Sequence, residues 1–175
     1  MTHIMETASN VKLYSLTLKQ SRTYVFALLF IVGNIVLPQL CHLFPKGGLI
    51  MLPIYFFTLI GAYKYGLKVG LITAVLSPLI NSLLFGMPPM AGVPVIIIKG
   101  VLLASAAAFV AHKTQKVTLL TLIAVVLLYQ VVGCAIEWAI KADFMAAVQD
   151  FRIGIPGMLL QIVGGYLLLK YVLKK

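Results

Sequence analysis

Acidic residues are nearly missing from this chain. Four Asp and Glu stand against fourteen Lys and Arg, giving a formal net charge of +10 at pH 7. Charge of either sign is scarce, at 10% of 175 residues. Cys41 and Cys134 have no CxxC spacing, so neither a disulfide framework nor a zinc site is indicated. His3, His42 and His112 have no metal-ligand neighbours by spacing, and only the adjacent Cys41-His42 pair leaves open a metal-bearing ligand such as a corrinoid. There is no G-x-x-x-x-G-K-[ST], so the chain does not hydrolyse ATP by itself. H-E-x-x-H and G-x-S-x-G are also missing, and no catalytic set is recognisable. The expectation is therefore not an enzyme.

Apolar residues fill the space that charge leaves. They make up 62% of the chain, and the mean hydropathy is +1.07. A soluble core cannot absorb that much apolar surface, so the composition predicts an all-α integral membrane protein. A bilayer crossing takes about 20 apolar residues. Six runs approach that length: Thr23–Cys41, Leu49–Tyr65, Leu67–Phe85, Ala91–Ala111, Val117–Ile140 and Gly154–Leu173. Turn chemistry separates them at Pro45-Lys46-Gly47-Gly48, Lys64-Tyr65-Gly66, Gly86-Met87-Pro88-Pro89 and His112-Lys113-Thr114, with a polar loop over Lys141–Arg152. One six-helix domain uses the whole chain, 1–175. Residues 1–22 are amphipathic rather than a signal core, which predicts an uncleaved cytoplasmic segment.

Basic residues orient the bundle. With the N-terminus cytoplasmic, that side collects Lys12, Lys19, Arg22, Lys64, Lys68, Lys113, Lys116, Lys170, Lys174 and Lys175. The other side keeps Lys46, Lys141 and Arg152. Both termini are thus expected inside, in the cell (cytoplasmic or inner) membrane. The excess charge is read as topogenic, without a nucleic-acid partner.

Within this frame the polar side chains are unevenly distributed. Asn34, Asn81, Lys99, Gln130, Glu137 and Gln161 all fall in the outer halves of their runs, whereas the inner halves hold only hydroxyls such as Thr73, Ser105 and Thr121. Amides and charges at membrane depth are paired or line a cavity. Lys99 is the costliest, at about 2.5–3.5 kcal/mol or more for a cation in hydrocarbon. Gln130, Cys134 and Glu137 are spaced i, i+4, i+7 and share a face, with Trp138 beside it as either a stacking wall or an interfacial anchor. The pattern predicts a chamber open to the outside and sealed below. Gly70 and Ala74 form a small-residue row, as do Gly100, Ala104 and Ala108. Such rows let helices approach closely, within the chain or from a partner.

In series, several features carry a family likeness: six helices, a basic N-terminal tail, Pro45-Lys46-Gly47-Gly48, Leu52-Pro53, Gly66/Gly70, Leu76-Ser77-Pro78 and Gly86-Met87-Pro88-Pro89. The chain resembles the substrate-binding S components of energy-coupling factor (ECF) vitamin transporters, a subtype of ABC importer. The resemblance covers most of the first four helices; the last two match in length and character. It implies capture of a vitamin or vitamin-like molecule from the outer side. It also implies docking through the first three helices on a transmembrane scaffold driven by two cytoplasmic ATPases. No cofactor is implied. The helix 1 small-residue row of many members is missing here, since Ala27 is followed four residues on by Ile31. Docking is therefore expected to use Gly70 and Ala74 beside Ala27.

The resulting expectation is an anionic or carboxylate-bearing substrate with Lys99 as counter-charge. Asn34, Asn81, Gln130 and Gln161 orient its polar groups, Met87 and Trp138 give walls, and Glu137 either binds substrate or neutralises Lys99. A stand-alone secondary transporter or channel is the alternative; it requires a polar route through the inner half. A purely structural membrane protein, in which Lys99 only pairs with Glu137, is another.

Overall fold

The computed structural model describes residues 11–173, so the predicted segment 1–22 lies partly outside the described residues. Those residues form an all-helical membrane bundle. Five helices are long and apolar enough to cross a bilayer: Ser21–Cys41 (α1), Leu67–Phe85 (α4), Met90–Thr114, whose α-helical part is Val93–Thr114 (α5), Leu119–Lys141 (α6) and Ile155–Val172 (α9). Their bounds fall within a few residues of the predicted runs.

The run Leu49–Tyr65, expected as one crossing, is instead broken. It folds as a short helix Gly47–Met51 (α2), a 3-10 turn Pro53–Tyr55 and a helix Phe56–Tyr65 (α3). The break is local chemistry. Pro53 disfavours helical backbone in the residue before it, and Leu52 takes up a left-handed conformation at φ 44°. The offset lets α2 lie against the start of α9. There, side chains added at Gly154 and Gly157 would meet Leu52 Cδ1 at 2.9 Å and the Met51 carbonyl carbon at 2.4 Å. The predicted polar loop Lys141–Arg152 is also corrected. It contains two short helices, Phe144–Ala147 (α7) and Gln149–Ile153 (α8). Asp143 starts the first, its Oδ1 accepting from Ala146 N at 3.0 Å.

One end of the bundle is tied shut. The chain before α1 runs beside the end of α3, with Tyr14 N donating to Lys64 O (2.8 Å) and Leu16 N to Tyr65 O (3.0 Å). The buried Lys64 ammonium donates to the Lys12 carbonyl, and Tyr65 stacks on Phe26 at 3.9 Å between centroids. Tyr63 bonds to Lys116 O and Thr121 Oγ1 at 2.7 and 2.9 Å, which joins the α5–α6 turn to the same end. Gly66 turns α3 into α4 at φ 97°, where a Cβ would sit 3.1 Å from Ser15 Cα. Above this end Leu59, Ile60, Leu103, Leu122 and Val125 are fully buried in one core.

Gly70 and Ala74 belong to that packing. A Cβ on Gly70 would lie 2.4 Å from Ala62 Cβ and 3.0 Å from Ala104 Cβ; one on Gly100 would lie 3.2 Å from Ala74 Cβ. The row expected to receive a partner helix is thus filled by α3 and α5 of the same chain. Ala27 is buried as well.

Candidate functional site

At the opposite end the helices splay around a cavity of about 860 Å³. Its walls come from the end of α1, the broken α2–α3 segment, the Met87-Pro88-Pro89 turn, the first turns of α5, the last turn of α6 and the α7–α8 segment. The size falls within the range of about 300–1,000 Å³ typical of small-molecule sites. Pro38, Leu49, Pro53, Ile54, Val95 and Ile96 make much of the surface apolar. A second cavity, of about 560 Å³, lies beside Tyr14, Tyr63 and His112 and shares no lining residue with the first.

The charged wall is a linked set of four. Lys99 Nζ lies 2.5 Å from Glu137 Oε2 and 2.8 Å from Asp150 Oδ2, and Lys141 Nζ lies 2.6 Å from Glu137 Oε1. All four line the cavity. Sequence spacing explains part of the set, because Glu137 and Lys141 are i, i+4 on α6. Gly133 explains another part. A Cβ there would come within 2.8 Å of Lys99 Cγ, so the missing side chain is what lets the lysine stem lie flat on α6. Lys99 is only 3% exposed. A cation so buried is stable only with close partners, and here it has two carboxylates. Of the two expectations for Lys99, counter-charge to a ligand or pairing with Glu137, the pairing is present, and Asp150 adds a second carboxylate. Asp150 and Lys141 were not foreseen as site residues. The contact with Asp150 spans 51 residues of chain, for which no sequence period gives a signal.

Asn81 and Met87 line the cavity as expected. Asn81 is fully buried, and its Nδ2 donates to Asn34 O and Ser77 O, each at 2.9 Å. With both donors committed to carbonyls its orientation is fixed. Its Oδ1 has no hydrogen-bond partner among the described residues.

Asn34 is placed differently. It is fully buried away from the cavity, its Nδ2 donating to Thr58 Oγ1 (3.0 Å) and Ser77 Oγ (3.2 Å) and its Oδ1 accepting from Phe57 N (3.1 Å). It joins α1, α3 and α4, which corrects the expected binding role. Gln130 and Gln161 are buried and do not line the cavity either. Gln161 Oε1 accepts from Tyr129 OH at 2.9 Å, while Gln161 Nε2 and both polar atoms of Gln130 have no partner among the described residues. Trp138 is 52% exposed and packs edge-on to Phe144, at 5.6 Å between centroids. It does not line the cavity, so the stacking-wall reading finds no support in this geometry.

His42 lines the cavity and Cys41 is buried beside it. Among the described residues no three His, Cys, Asp or Glu side chains gather as a metal set. The site can hold a small, largely apolar molecule, with an internally paired charge set along one wall. Comparison with protein-family models, curated proteins and solved structures finds no match.

Proposed function

We propose that the chain is the substrate-capturing membrane subunit of an ECF-type importer. In this reading it crosses the membrane six times, the broken α2–α3 segment supplying the second crossing, with both termini in the cytoplasm. The cavity end faces outward and takes a vitamin-like small molecule. A scaffold subunit and two ATPases then drive uptake.

The observation that carries the reading is that the larger of the two cavities described, about 860 Å³, lies at the end remote from the segment before α1, above a fully buried apolar core. A stand-alone carrier or channel needs hydrated passage through the bundle. Leu59, Leu103 and Leu122 fill that position, fully buried. The small-residue row is occupied within the chain, so the docking surface for the scaffold falls on other residues of the first helices. One observation favours a second, structural role for Lys99, namely its pairing with Glu137 and Asp150. That pairing shapes the wall of the cavity and is compatible with capture.

Reconstitution tests the proposal. Proteoliposomes containing the chain together with the scaffold and ATPases of its host should take up the compound it retains on purification, and only with ATP. Uptake by the chain alone would replace the proposal with the secondary-transporter alternative.

A further inference from the structure

We infer that the second cavity, at the tied end of the bundle, binds an anionic phospholipid of the adjoining leaflet. Its phosphate sits beside Lys12 and Lys113, and an acyl chain lies along α5. The inference is independent of the capture reading and needs only that the bundle stand in a membrane.

Shape is the first observation. The cavity, of about 560 Å³, lies between the segment before α1, the α3–α4 turn and the last turns of α5. Ser105, Ala108, Phe109 and His112 line it from α5 and, at i, i+3, i+4 and i+7, share one face of that helix. The small side chains at 105 and 108 leave a trough in this face. Ser105 and Phe109 are exposed, so the trough opens on the flank of the bundle. Ser105 precedes Thr114, the last residue of α5, by nine positions, or about 14 Å at 1.5 Å per residue. That depth approaches the middle of a hydrocarbon core about 30 Å thick. One end of the trough therefore meets acyl chains. The other, at the exposed His112 and Gln115, meets the polar boundary.

Charge is the second. Two rings that line the cavity carry lysines, with Lys12 Nζ 5.5 Å from the centroid of Tyr14 and Lys113 Nζ 5.8 Å from that of Phe109. Lys64 Nζ lies 5.4 Å from the Tyr14 ring and donates to the Lys12 carbonyl. Lys12 and Lys113 are exposed and enter no ion pair among the described residues. The described acids, Glu137, Asp143 and Asp150, all belong to the other end. Topogenic bias accounts for lysines at this end of the bundle. It does not account for their standing over two walls of one cavity that opens toward lipid. A basic pocket between membrane helices at headgroup level is what anionic headgroups recognise. A soluble anion would leave the apolar length of the trough empty, and an apolar partner helix would leave the lysines unanswered.

The test uses the full chain, delipidated in detergent and given equal amounts of phosphatidylglycerol and phosphatidylcholine with the same acyl chains. Native mass spectrometry reads the retained lipid, whose mass sets it apart from a small solute in the other cavity. The inference expects one phosphatidylglycerol per chain, favoured over phosphatidylcholine by about tenfold. Lys113→Gln should reduce that preference by about fivefold. Ser105→Phe, at an exposed position, should abolish retention by filling the trough. Arg152→Gln, at the opposite end, should change neither. Equal retention of the two lipids overturns the inference, as does a preference that survives Ser105→Phe. Displacement of the lipid by excess inorganic phosphate overturns it in favour of a soluble anion. Retention of neither lipid overturns it and returns the trough to a partner helix.

Discussion

Lys99 shows how the cost of burying one residue can be plain in a sequence while the full set of its partners is not. Its burial in an apolar run is plain in the sequence, and so is the need for a partner. What the sequence hides is that two carboxylates arrive from different elements, Glu137 on α6 and Asp150 on α8. Removing the lysine therefore takes from Asp150 its ion-pair partner and leaves Glu137 with Lys141 alone. Lys99→Met is expected to destabilise the protein by about 3–5 kcal/mol, the usual consequence of stripping one partner from a buried pair. The triple variant Lys99→Met/Glu137→Gln/Asp150→Asn should recover most of that loss. Thermal unfolding in detergent measures both, and equal destabilisation of the single and triple variants would show that the pairing is not what holds this wall. Gly133 gives a second, sharper prediction. Its Cβ would reach 2.8 Å from Lys99 Cγ, so Gly133→Ala should destabilise by about 1–3 kcal/mol through overpacking. An unchanged unfolding temperature would mean that the lysine stem has another route.

Among the elements, the connections were harder to read than the helices. The long runs announce α1, α4, α5, α6 and α9 by length and hydropathy alone, since nothing in a bilayer competes with helix for apolar segments of that size. Leu49–Tyr65 met the same criterion and still broke, because Pro53 and the left-handed Leu52 outweighed hydropathy. The α7–α8 segment reads as a loop in the sequence because helices of four and five residues show no period. It carries Asp150, so the sequence gives no signal for that residue's place beside Lys99. Between α6 and α7, Ala142 sits at φ 53° and is exposed. Left-handed backbone disfavours a residue with a Cβ by about 1–2 kcal/mol, so Ala142→Gly should raise stability by roughly 1 kcal/mol. A lower unfolding temperature would show that rigidity at this junction, rather than relief of backbone strain, dominates.

At the scale of the whole molecule, the concentration of polar side chains toward one end was legible, but their division of labour was not. Asn34 and Asn81 looked equivalent, yet one stitches α1 to α3 and α4 while the other lines the cavity. Gln130 and Gln161 occupy a buried layer away from the cavity, a depth that a linear pattern does not separate from the wall. The proposed orientation yields its own prediction. In a chain with Cys41 and Cys134 replaced by Ala, Gln149→Cys should react with a membrane-impermeant maleimide on intact cells. Gln115→Cys should react only after permeabilisation. The reverse pattern would invert the bundle.

The central claim is that the cavity between α1, α5 and α6 holds a small solute. Native mass spectrometry of the purified full chain tests it most directly. The account predicts a single small-molecule adduct on the wild-type protein that is lost from the folded Ile96→Trp variant. A wild-type mass with no adduct, or an adduct that survives the filled cavity, would contradict it.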